Sequence, residues 1–76
     1  MTATQRLDED MPVSRYEYDD SVVLAADLGA SEATAEIVGD TVIVVAEPEQ
    51  YDLALPEGED ARAFIKNGVL TVEVER

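Results

Sequence analysis

Cysteine and histidine are both missing from this 76-residue chain. No disulfide can staple it, and zinc and iron–sulfur sites lose their usual thiolate and imidazole ligands. Tryptophan is absent too; Phe64 is the single phenylalanine and Lys66 the single lysine. No apolar run approaches the roughly 20 residues that a membrane-spanning helix needs. The N-terminus shows no basic region followed by an apolar stretch, so no export leader is read there. A soluble cytoplasmic protein is the expectation. With one domain's worth of residues and no staple, the core is expected to supply only about 3–5 kcal/mol of net stability.

Negative charge is what the chain has in excess. Eighteen Asp and Glu face five Lys and Arg, for a net charge of −13 and a pI near 4.1. Such a surface offers nothing to a nucleic-acid backbone or an anionic membrane, so neither is an expected partner. Disorder is excluded by the hydrophobic content of 46%, which is clearly patterned. The carboxylates are scattered along the chain, as in a solvated coat over a fold. Concentrated salt explains that coat: at molar ionic strength the Debye length falls to about 3 Å and self-repulsion is screened. The chain therefore reads as a halophilic cytoplasmic protein.

Residues 1–12 are polar and closed by Pro12, and they are expected to form a flexible tail; a short helical turn around Arg6 to Met11 is too brief to stand alone. From Val13 the pattern turns β. Tyr16 and Tyr18 alternate with Arg15 and Glu17 before a turn at Asp19-Asp20. Ser21 to Leu28 sets Val22, Leu24, Ala26 and Leu28 on one face, and Ala33 to Val38 does the same with Ala33, Ala35 and Ile37. Gly39-Asp40 is a two-residue hairpin turn. Thr41 to Ala46 is apolar on both faces and reads as a central strand covered on each side, or a greasy edge. After a turn at Glu47-Pro48-Glu49, Tyr51, Leu53 and Leu55 alternate with polar or small residues. Arg62 to Lys66, the dipeptide Asn67-Gly68 and Val69 to Val74 make a last hairpin, with Leu70, Val72 and Val74 sharing a face. About seven short strands with regular turn signals predict an all-β fold, a sandwich or small barrel.

Three stretches resemble the α-crystallin domain of small heat-shock proteins: Asp27-Leu28-Gly29, Leu53-Ala54-Leu55-Pro56, and Ala63 to Leu70 with its Asn-Gly turn. The resemblance covers about residues 15–76. It implies a seven-stranded, immunoglobulin-like antiparallel β-sandwich over residues 13–76, and a stress-response holdase chaperone that needs no ATP. Gly29-Ala30 stands where the family has Pro-Gly, and Ala46 to Gln50 is too short for the family's swapping strand. No Ile-x-Ile docking segment follows the last strand, and the N-terminal arm is short. A monomer or at most a dimer is therefore expected.

Catalysis is not expected. Asp19-Asp20 and Glu59-Asp60 are paired carboxylates at turns, where water keeps them ordinary. Ser14, Ser21 and Ser31 have no histidine to activate them. Asp8-Glu9-Asp10 looks like the start of a calcium loop but lacks the central glycine, so no metal and no cofactor is expected. The leading functional expectation is a minimal chaperone-like or scaffold module that binds a protein partner or unfolded client. Strand edges and the groove between sheets are its expected contact surface, with individual binding residues unassigned. The alternative is an acidic nucleic-acid mimic that occupies a basic protein.

Overall fold

A backbone with so many alternating apolar positions can bury one face of each strand only by laying two sheets together. The computed structural model of the chain describes residues 4–29, 32–46 and 49–76. In chain order it has β1 (Gln5–Arg6), α1 (Leu7–Asp10), β2 (Ser14–Glu17), β3 (Ser21–Asp27), β4 (Thr34–Val38), β5 (Thr41–Ala46), β6 (Glu49–Ala54), β7 (Asp60–Lys66) and β8 (Val69–Glu75). The strands form two four-stranded sheets, with orders β1-β6-β5-β4 and β2-β3-β8-β7.

The inward positions are those that the alternation requires. Val22, Leu24 and Ala26 of β3 meet Leu70, Val72 and Val74 of β8 on the inner face of the second sheet. Val42, Val44, Tyr51 and Leu53 line the first. Together with Leu7 they form one buried cluster that contains no charged side chain and in which the Tyr51 phenol is the one polar group. Its aliphatic members are mostly valine and leucine, so this is a core of small, stiff side chains. The hairpin turns follow their residues: Asn67 and Gly68 both take positive φ, 54° and 77°, and Gly39 takes 62°.

Three expectations are corrected. The fold is all-β, but the described residues form eight strands where about seven were predicted, and β1 pairs in parallel with β6 rather than antiparallel. The segment read as a tail is docked from Gln5 onward: Arg6 lies opposite Asp52, and Leu7 on its single helical turn is fully buried. One apolar side chain reaching the core is enough to fix a segment whose own helical preference is negligible. β5 is central, as read, but only its inner face is covered; Ile43 and Val45 on the other face are half-buried. The expected turn at Glu47-Pro48 and the departure at Ala30 lie outside the described residues.

Candidate functional site

In an antiparallel sheet, residues directly opposite one another share a face, so the register maps the outer surface of the second sheet. Across β2, β3, β8 and β7, one row runs Tyr16, Val23, Glu73, Arg62 and the next runs Ser14, Ala25, Thr71, Phe64. A third pairs Asp27, Val69 and Lys66. Tyr16 and Phe64 thus sit in neighbouring rows on β2 and β7, strands about 14 Å apart by strand spacing, over a floor of small and aliphatic side chains. Tyr16 is 50% exposed, Tyr18 56% and Phe64 45%. Three of the four aromatic rings in the chain are therefore in water, Tyr16 and Phe64 on this sheet and Tyr18 just past the end of β2, while Tyr51 alone is buried.

The first sheet's outer face is different in kind. Its rows run Thr34, Val45, Gln50; Glu36, Ile43, Asp52; and Val38, Thr41, Ala54, with no aromatic ring among them.

Charge separates the faces further. Arg62 and Lys66 flank Phe64 on the outward side of β7, and neither is in an ion pair among the described residues. Arg6 lies near Asp8 and Glu9, at 4.0 and 3.9 Å. Arg15 and Arg76 both reach Oε1 of Glu17, at 3.2 and 2.8 Å. The hydrogen bond and charge of Arg15, seconded by Arg76, hold the Glu17 carboxyl below its ordinary pKa. Tyr51 is pushed the other way: burial, then the charges of Asp10 and Glu49, raise its phenol.

At one end of the outer face, an open depression of about 670 Å³ is bordered by Asp20, Asp60, Glu73 and Glu75, with Arg62 and Arg76 among them. A second open depression, about 600 Å³, is lined by Ile37, Leu55, Ala61 and Val74 together with Asp40 and Glu57. Gly58 lies at its edge; a Cβ there would overlap the Val74 side chain and the Glu75 carbonyl oxygen.

Of the carboxylates weighed in the sequence, Asp20 and Asp60 border the same open depression, with Arg62 and Arg76 among them. Asp19-Asp20 caps the β2–β3 turn, Glu59-Asp60 opens β7, and Asp8-Glu9-Asp10 lies on the exposed side of α1. Among the described residues, no group of three or more acidic side chains is placed to hold a metal ion. Ser14 and Ser21 lie on the outer face of the second sheet, and Ser31 falls outside the described residues. No helix of the described residues is long and apolar enough to cross a membrane. The aromatic face was not assigned from the sequence, although its signal is there: with Ala63 and Ile65 facing inward, Arg62, Phe64 and Lys66 must face out.

Residues 1–74 match the family of unknown function DUF7127, and the chain belongs to that family. No curated protein and no solved structure matches it. This overturns the resemblance to the α-crystallin domain, since the family matched over nearly the whole chain is a different one. The physical reason is that the three stretches encode turns and strand alternation. Asn67 and Gly68 take the positive φ that any tight antiparallel hairpin demands, whatever its family.

Proposed function

We propose that this chain is a small protein-interaction module adapted to concentrated salt, chaperone-like in working without ATP, and that its contact surface is the outer face of β2, β3, β8 and β7. We also read the two sheets, linked by the crossovers β1 to β2, β3 to β4 and β6 to β7, as an immunoglobulin-like sandwich.

One observation carries the reading. A domain short of core material leaves Tyr16 and Phe64 in water on a single sheet, with Tyr18 just past the end of β2. Exposed aromatic side chains grouped on one face are what protein interfaces are enriched in. The cations Arg62 and Lys66 beside Phe64 relieve the general negative charge where a partner would come closest. Apolar contact of this sort survives molar salt, in which purely ionic binding fades. The acidic-decoy alternative has less support, because Arg62 and Arg76 interrupt the carboxylates around the depression.

The test is aggregation of a salt-adapted client heated in molar KCl without ATP. The native chain is expected to suppress light scattering only at equal or greater molar ratio, since the face is small. The Tyr16→Ser/Phe64→Ser variant should lose that suppression while keeping its fold. Equal activity of the two proteins would remove the face from the account. Capture of basic proteins that disappears as salt rises would instead support the decoy.

A further inference from the structure

The two sheets end differently, and the difference exposes a backbone. β6 is covered at Tyr51 and Asp52 by the two-residue β1, while β4 and β7 lie against one another at the corner where the sheets meet. β2 is the terminal strand of its sheet, all four of its residues are exposed, and no strand lies beyond it among the described residues.

The direction of its free groups follows from one hydrogen bond. The Tyr18 N–H donates to the Ser21 carbonyl at 2.8 Å, and the β2–β3 register continues from there through Glu17 opposite Val22 to Ser14 opposite Ala25. Backbone groups alternate sides along an antiparallel strand. Tyr18, Tyr16 and Ser14 therefore point theirs at β3. Arg15 and Glu17 point theirs at the open side.

We infer that this open edge takes the β2 strand of a second copy of the chain, antiparallel and centred on Tyr16, so that Arg15 of each copy lies opposite the partner's Glu17. Only registers that place outward residues opposite outward residues can make the ladder. Centring on Arg15 sets arginine against arginine; centring on Glu17 sets glutamate against glutamate. Both are unfavourable cross-strand pairs. Centring on Tyr16 gives two Arg15–Glu17 pairs, each with its reciprocal N–H to C=O bonds, and no like charges opposed. Tyr16 then faces the partner's Tyr16 at a non-hydrogen-bonded position, where side chains approach most closely. The two second sheets become one continuous sheet of eight strands.

In the monomer, Glu17 holds its own chain's Arg15 and Arg76. Arg15 exchanges one Glu17 for another, and Arg76 stays where it is. Salt acts on the dimer through the whole charge: each copy carries −13, so association needs ionic strength that shortens the Debye length to a few Å. The inference does not depend on the outer face binding other proteins.

Sedimentation velocity decides it, in molar KCl and in about 0.1 M KCl, over a concentration series reaching about 1 mM, a range suited to weak association. The native chain is expected to dimerise reversibly in molar KCl and to dissociate in dilute salt. Arg15→Pro removes an outward N–H, which edge strands tolerate, together with the guanidinium that pairs with Glu17, and should weaken the dimer at least about tenfold. Arg15→Glu should do the same, and Arg15→Glu/Glu17→Arg, made together with Arg76→Gln so that position 17 meets no second cation, should restore association to within about threefold of native by re-forming the cross-strand pairs. Each variant is first shown to keep the native circular dichroism. A native chain monomeric throughout, an Arg15→Pro variant that dimerises like native, or a charge swap that fails to recover would each overturn the inference.

Discussion

The two sheets use the same alternation and the same number of strands, yet one is closed along its side and the other is open. β6 is screened by β1, whose two residues lead directly into Leu7, the most deeply buried leucine at the chain's N-terminal end. β2 has no such cover among the described residues, and the exposed rings of Tyr16 and Phe64 lie on its sheet. A domain with this little core cannot spend apolar side chains freely. Tyr16, Tyr18 and Phe64 left in water are therefore the basis for proposing the second sheet as the contact surface, with the aliphatic sheet as its support.

That contrast can be broken first at the closed side. Leu7→Ala deletes a fully buried side chain and should cost about 2–5 kcal/mol, most of the stability expected of a domain this size. Urea titration in molar KCl measures it. A loss below about 0.5 kcal/mol would show that the cap is dispensable and the two sides alike.

Gly58→Ala comes next, at about 1–3 kcal/mol, because the added methyl overlaps Val74 and the Glu75 carbonyl, where Glu59 N–H also donates at 2.7 Å. Thermal melts in the same buffer should place it between Leu7→Ala and the surface variants.

The open side should respond to pH rather than to truncation. Glu17 has its folded pKa depressed from about 4.5, so its stabilising contribution is present above that value and is lost as pH falls through the depressed one. Protonating the other carboxylates relieves repulsion over the same range, so the readable quantity is the melting difference between native and Glu17→Gln. That difference should be positive at pH 6 and shrink towards zero near pH 3. A constant difference would mean that the Arg15–Glu17–Arg76 cluster is unformed in solution.

Smallest of all, Tyr16→Ser and Phe64→Ser should each change stability by no more than about 0.5 kcal/mol, as exposed positions do. A loss above about 2 kcal/mol for either would mean that the ring belongs to the core and not to a contact face.

Much of this architecture is legible in the residues. Val22, Leu24 and Ala26 alternate cleanly, and Leu70, Val72 and Val74 answer them across the ladder. Asn67-Gly68 turns where the dipeptide says it must, because both residues accept positive φ. The N-terminal cap was missed for an equally physical reason. A two-residue parallel strand has no period to detect, and Leu7 is one apolar residue among polar ones, so its burial is decided by the groove that receives it. The covering of β5 was overestimated because apolar residues on both faces signal a two-sided strand only when a second layer exists. The aromatic face was legible in outline, since the parity of Phe64 follows from Ala63 and Ile65, but which strands lie at edges is a property of topology. No local pattern carries it.

Amide hydrogen exchange by NMR in molar KCl tests the open edge most directly. In a dilute sample, the Arg15 and Glu17 amides should exchange freely while those of Tyr16 and Tyr18 are protected, since only the latter point at β3. Raising the protein concentration should then protect Arg15 and Glu17 while leaving the amides of the β5–β6 ladder unchanged. Full protection of Arg15 and Glu17 at the lowest concentration, or no gain at the highest, would contradict the account.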